Sequence, residues 1–305
     1  MRTSIYNDQV RFLMGLLPLL KSESIFALKG GSAINYFYRN MPRFSVDIDL
    51  TYLPLKSRQE SLEDISVLLN RICHKIQEKE PHVQIISKKS KEANQTFKIL
   101  VHRNNMTIKF EPNLIIRGSV FGAVTREICD AAKEEFQVSL RQTVLSEADL
   151  YGGKICAALD RQHPRDLFDI KILMDNEGLT EKIRKAFIVY LISHNRPINE
   201  LLRPVFKDIR RTFENEFSGM SRVPIGPEDL ETARESLLKA IHEQLTEDEK
   251  RFILSVKERR PEWEKHGVNG IEKLSGVQWK LHNLNLMDRK KHARELDKLK
   301  RNLDL

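Results

Sequence analysis

The sequence predicts an α+β fold in which a mixed sheet with helices fills the first half and helices alone fill the second. Three observations predict it. Short β-branched runs bounded by turn residues recur up to about residue 111, they give way near residues 140–146, and beyond residue 146 helical apolar spacing with capping signals runs nearly to the end. A chain of 305 residues has room for two ordinary domains. The change of secondary-structure type places them at 1–145 and 146–305, with no repeat and no low-complexity linker between them.

Phe26-Ala27-Leu28 is a short apolar strand that leads into Lys29-Gly30-Gly31-Ser32. Residues 33–40 read as a helix, 46–52 as a strand and 59–79 as an amphipathic helix. Residues 83–87, 96–102 and 106–111 have strand length and β-branched content, and Arg103-Asn104-Asn105 forms the turn between the last two. Ser146 and Asp149 have capping-box spacing for a helix running to about Gln162. Pro164 suits the first position of a second helix that ends near Asp175, closed by Asn176-Glu177-Gly178. Further helices are expected over 180–193, 227–245, 247–258 and 284–302.

Hydrophobic residues at 40% and charged residues at 31% exclude wholesale disorder. The longest apolar run, residues 12–20, contains Pro18 and is too short to cross a bilayer, so no membrane association is expected. Cys73, Cys129 and Cys156 are far apart and odd in number, which argues against a disulfide framework or a zinc site and for a cytoplasmic location. A net charge of +8 favours polyanionic partners. The basic stretch 289–301 alternates charges with Leu296 and Leu299, the pattern of a solvated helix face, with RNA contact as the alternative.

Gly30-Gly31-Ser32 at a helix start is a place where backbone N–H groups and a hydroxyl can close on a phosphate. Asp47 and Asp49, two apart on a strand, project from one face and suit a hard cation such as Mg²⁺ or Mn²⁺. Glu111 alternates out of the apolar face of its own strand and is the candidate third carboxylate, or else an exposed edge residue. Lys154 and Arg161, seven apart, share a helix face, and Asp166 and Asp169, three apart, share one on the next helix. His163 beside Pro164 reads as structural.

Gly30-Gly31-Ser32-Ala33, the block from Arg43 to Asp47-Ile48-Asp49-Leu50, and the block Asp149 to Arg161 followed by Arg165-Asp166-Leu167-Phe168-Asp169 together resemble the DNA polymerase β-like nucleotidyltransferase superfamily. More narrowly they resemble the AbiEii/AbiGii toxin family, in which Gln278-Trp279-Lys280 would belong to a C-terminal signature. The resemblance implies a toxin that transfers a nucleotide from an NTP with a divalent metal. Asp47 and Asp49 would be catalytic metal ligands and Glu111 a third ligand. Lys29, Gly31, Ser32, Arg43 and Arg161 would face the nucleotide, and Lys154, Asp166 and Asp169 would complete the catalytic set. It implies an RNA acceptor, the tRNA 3′ end, and a cognate antitoxin encoded nearby. Transfer to a protein hydroxyl or a small molecule, and a non-catalytic RNA- or partner-binding role, stay open as alternatives.

Overall fold

The computed structural model describes residues 2–21 and 23–305, with side chains from Ile5 onward. The chain divides into two compact units. The first comprises Met1–Ser146 and Ser218–Pro224, and the second Glu147–Phe217 and Ile225–Leu305. The short return segment 218–224 carries no sequence signal of its membership. It joins the first unit through backbone hydrogen bonds between Phe44 and Met220 and between Arg222 and Pro42.

In the first unit, helix α1 (Arg2–Leu16) precedes β1 (Phe26–Lys29). A helical turn, α2 (Gly30–Ala33), continues as a π-helical turn (Ile34–Tyr38), so the helix starts three residues earlier than its apolar spacing indicates. Then come β2 (Asp47–Tyr52), α3 (Arg58–Lys79), β3 (Gln84–Lys89), β4 (Thr96–Arg103), β5 (Met106–Pro112), β6 (Ala123–Glu127), α4 (Asp130–Phe136) and β7 (Arg141–Leu145). The seven strands form one sheet in the order β3-β4-β5-β2-β1-β7-β6. β1 with β7 and β2 with β5 run parallel, and the other neighbours run antiparallel. Asn104, at φ +52°, makes the tight turn between β4 and β5. Ser57 caps α3 in a full capping box with Glu60. Ile65, Leu69, Ile72 and Ile76 of that helix are fully buried, as are Ile48, Leu50, Ile99, Val101, Ile108 and Phe110 of the strands. Burying one face of β2 and β5 this way leaves their charged alternates on the other face.

The second unit is helical: α5 (Glu147–Arg161), α6 (Pro164–Asn176), α7 (Glu181–Ser193), α8 (Ile198–Leu202), α9 (Arg210–Glu216), α10 (Pro227–Gln244), α11 (Glu247–Lys257), α12 (Ser275–Leu286) and α13 (Arg289–Leu303). Pro164 opens α6, and the His163 ring caps it by accepting the Arg165 N–H. The helix expected over 284–302 is α13, but it starts only at Arg289, and residues 284–286 end α12. The chain turns extended at Met287, and Asp288 caps α13 by accepting the Lys291 N–H. A Cβ on Gly152 would stand 2.8 Å from the Ala186 carbonyl carbon, so this glycine sets how closely α5 meets α7. No described helix is long and apolar enough to cross a membrane.

Candidate active site

The charged face of the sheet is built by register. Asp49 on β2 lies opposite Glu111 on β5 and opposite Lys29 on β1, while Asp47 lies opposite Lys109. Register partners on neighbouring strands share a face, so Lys29, Asp49 and Glu111 form a row, extended by Lys98 of β4, whose ammonium is 2.5 Å from Glu111. Like charges side by side on adjacent strands are unfavourable, and Asp49 beside Glu111 is such a pair. Cations answer them on this face: Lys98 at Glu111, and Lys109, 3.8 Å from Asp47.

The glycine pair is dictated by this face. Gly30 has φ +70°, and a Cβ there would sit 2.3 Å from the Asp49 carboxylate. A Cβ on Gly31 would sit 2.7 Å from both the Arg43 guanidinium and the Ser45 hydroxyl. The turn therefore packs directly on Asp49 and on the loop entering β2. Ser32 is 1% exposed; its hydroxyl donates to the Asp47 carbonyl at 2.5 Å and lies 3.1 Å from the Ser45 hydroxyl. Arg43 is equally buried and donates to its neighbour's carbonyl, at Phe44. Both residues, expected at a triphosphate, are here turned inward and tie the helical turn to the start of β2. Their sequence motif is legible but their orientation is not, because it is fixed by bonds made only in the folded loop, to Ser45, Asp47 and Phe44.

Could a divalent cation be held? Asp47 and Asp49 are half-buried carboxylates on one face, a hard-oxygen donor pair that suits Mg²⁺ or Mn²⁺. Glu111 is half exposed and drawn to Lys98. Among the described residues no grouping of three or more ligating side chains is formed. The donor set thus fits as two carboxylates; the third, expected at Glu111, stands in the right register but points to a lysine.

The second constellation lies wholly in the helical unit. Lys154 is 7% exposed, and its ammonium reaches Asp166 at 2.8 Å and Asp169 at 3.0 Å, both 1% exposed. Arg161 closes on Asp166 through Nε and through a 2.9 Å Nη2 contact. Burial alone would raise the Asp166 pKa, but Lys154 and then Arg161 overcome it and hold the carboxyl well below the usual range. Two cations and two anions balance here, with Lys154, Asp166 and Asp169 buried and Arg161 largely exposed at the edge. Asp149 on the same helix accepts a hydrogen bond from Tyr190.

Lys280 was not singled out by its chemistry, yet it is a buried cation whose ammonium meets backbone carbonyls. It donates to the carbonyls of His194 (2.6 Å) and Arg196 (2.9 Å) at the end of α7, and burial pulls its pKa down to about 8, with Lys257 adding to the shift.

The profile of the family described as nucleotidyl transferase AbiEii toxin, type IV toxin–antitoxin system, matches residues 11–281. Among solved structures the chain is similar to MenT4, a nucleotidyltransferase toxin from Mycobacterium tuberculosis H37Rv, at TM-score 0.61 over 93% of each chain and 14% identity. That likeness is one of fold. No curated protein is significantly similar in sequence.

Proposed function

The chain belongs to the nucleotidyl transferase AbiEii toxin family of type IV toxin–antitoxin systems, and on that premise we propose that it transfers a nucleotide from an NTP to an RNA 3′ end, with tRNA as the acceptor: the 3′ hydroxyl oxygen bonds the α-phosphorus, the α–β phosphoanhydride breaks and pyrophosphate leaves. The observation that carries the reading is the carboxylate group on the sheet face, Asp49 beside Glu111 with Asp47 two residues before Asp49 on the same strand, with Asp47 and Asp49 braced by Gly30 and Ser32. Such an arrangement is unfavourable without a cation and useful with one. Asp47 and Asp49 would hold the metal, Mg²⁺ or Mn²⁺. When bound, it supplies positive charge to the triphosphate and lowers the pKa of the attacking hydroxyl.

The chain's own residues do the rest by position. Gly31 and Ser32 offer backbone N–H groups to the phosphates, with the Lys29 ammonium beside them, and the Ser32 hydroxyl keeps Asp47 from drifting. Lys109 is the counter-ion that would give way at Asp47 were a metal held there. Glu111, released from Lys98, is the carboxylate that can receive the proton from the acceptor hydroxyl. Lys154 is the proposed phosphate contact of the helical unit. Asp166, Asp169 and Arg161 orient it, and their charges restrict how far it can move. Family membership brings a cognate antitoxin as partner, which we propose is encoded nearby, and we place the protein in the cytoplasm.

The test is to incubate the protein with total RNA and each α-labelled NTP in turn, then sequence RNA 3′ ends. Label on tRNA 3′ ends, lost after periodate oxidation of the terminal ribose, is the expected result. Label on oxidised tRNA, or on a protein or metabolite instead, overturns the acceptor.

A further inference from the structure

Within the helical unit, α8 and α13 border a groove of about 250 Å³ lined by Asn199, Glu200, Arg203, Lys298, Arg301 and Asn302. We propose that this groove docks the phosphodiester backbone of the acceptor RNA, an inference that rests on the RNA reading above and adds the surface that holds it.

Three of the six lining side chains are cations and one is an anion. The anion, Glu200, has a cation of its own outside the groove lining, Arg196 at 3.8 Å. Among the described residues no carboxylate pairs with the Arg203 guanidinium, and Arg301 makes only a long 3.4 Å bond to the Asp297 carbonyl. Lys298 reaches Glu295 at 3.2 Å but stays 54% exposed. Cations crowded into a concavity repel one another and focus the field of the site on an anion. The walls are rigid enough to keep that arrangement: Leu299 and Leu303 anchor α13, and the Asn302 amide donates to the Asn199 carbonyl across the groove.

The groove also continues. Lys290, Arg294, Lys298 and Arg301, spaced four, four and three apart, follow one exposed face of α13 for about 16 Å, with Asp297 the acid among them. Between Arg289 and Arg301 stand seven basic residues against two acidic ones. A stripe of that length suits several successive phosphates rather than one. The lining has no apolar anchor of the kind a protein partner inserts, whereas Arg, Lys and Asn side chains are the usual contacts to a phosphate backbone.

The experiment measures binding of unlabelled-state, deacylated tRNA by the full chain against the triple variant R203Q/K298Q/R301Q from 50 to 300 mM salt. These side chains are exposed, so thermal melting should be unchanged. Affinity at low salt should fall at least tenfold, and the slope of log affinity against log salt should shrink by about 2 to 3 through lost counterion release. Glu200→Gln should tighten binding. Unchanged affinity and slope in the triple variant overturn the proposal. So does competition by tripolyphosphate or polyglutamate, at equal charge, as effective as that by RNA. RNA binding that depends on the groove in a protein that labels no RNA with any NTP removes the transferase reading and leaves the groove. Labelled RNA with groove-independent binding does the reverse.

Discussion

The two carboxylate constellations use the same residue types in opposite environments. Asp166 and Asp169 are buried and fully answered by Lys154 and Arg161 at 2.8–3.0 Å. Asp47, Asp49 and Glu111 stand on a partly exposed sheet face where register sets Asp49 beside Glu111, and Lys109 stands 3.8 Å from Asp47. Removing either partner from a buried, neutral cluster strands a charge in low dielectric, so that cluster is read mainly in stability. Partly exposed carboxylates cost less to alter than buried ones, so their worth must be sought in what they bind.

The largest expected effect tests the sheet-face side of that contrast. Asp47→Ala or Asp49→Ala should lower nucleotide transfer by at least about 10³-fold, roughly 4 kcal/mol of transition-state stabilisation, while thermal unfolding shifts little. Transfer retained in either variant breaks the assignment.

Next comes the buried side. Asp166→Asn should cost about 3–5 kcal/mol of unfolding free energy, against at most about 0.5 for Asp47→Asn; urea denaturation of both decides, and an inverted order would refute the contrast. Lys154→Met sharpens it through pH. In the native protein the depressed Asp166 pKa contributes stability that is complete above about pH 4 and is lost as pH falls further. Without the lysine, Arg161 alone answers two buried carboxyls, so one of them should take up a proton more readily than in the unfolded chain and stability should instead rise by about 1 kcal/mol from pH 7 to 5. A flat profile in the variant would show the carboxyls are solvated.

Gly30→Ala should cost about 1–2 kcal/mol, from a positive φ and a contact with Asp49 that no real Cβ tolerates, and should reduce transfer more than it reduces stability because Asp49 must move. Lys280 gives the smallest effect and is the control for an uncompensated cation. Its folded pKa, about 8, lies below the unfolded value, so the unfolded chain binds more protons and stability should rise with pH, by about 1 kcal/mol between pH 8 and 9. Lys280→Met should abolish that rise, since the neutral amine, with two N–H donors for two carbonyls, is the form the fold prefers.

Much of this was legible residue by residue. Pro164 announced α6 because its ring pre-sets the first helical φ, and the Asp-x-Asp spacing announced one face because strand side chains alternate. The Asn104-Asn105 turn followed from local chemistry too. What escaped were elements defined by partners. β6, a strand with four of its five residues exposed, and β7, set beside β1 at Leu28, carry too little apolar pattern to declare themselves. The break before α13 hung on one Asp cap within a run of helix formers.

By itself, the sequence determined which residue types meet at a glycine turn and a strand start, the helical character of the second half, and the family, because these depend on spacing along the chain. Only the tertiary structure decided that Ser32 and Arg43 face inward, that Glu111 stands beside Asp49 yet reaches Lys98, and that Lys154 lies buried between two aspartates. Those outcomes depend on strand register and on which surface is closed to water. Both are settled by contacts between residues far apart in the chain, whose pairing no local pattern encodes.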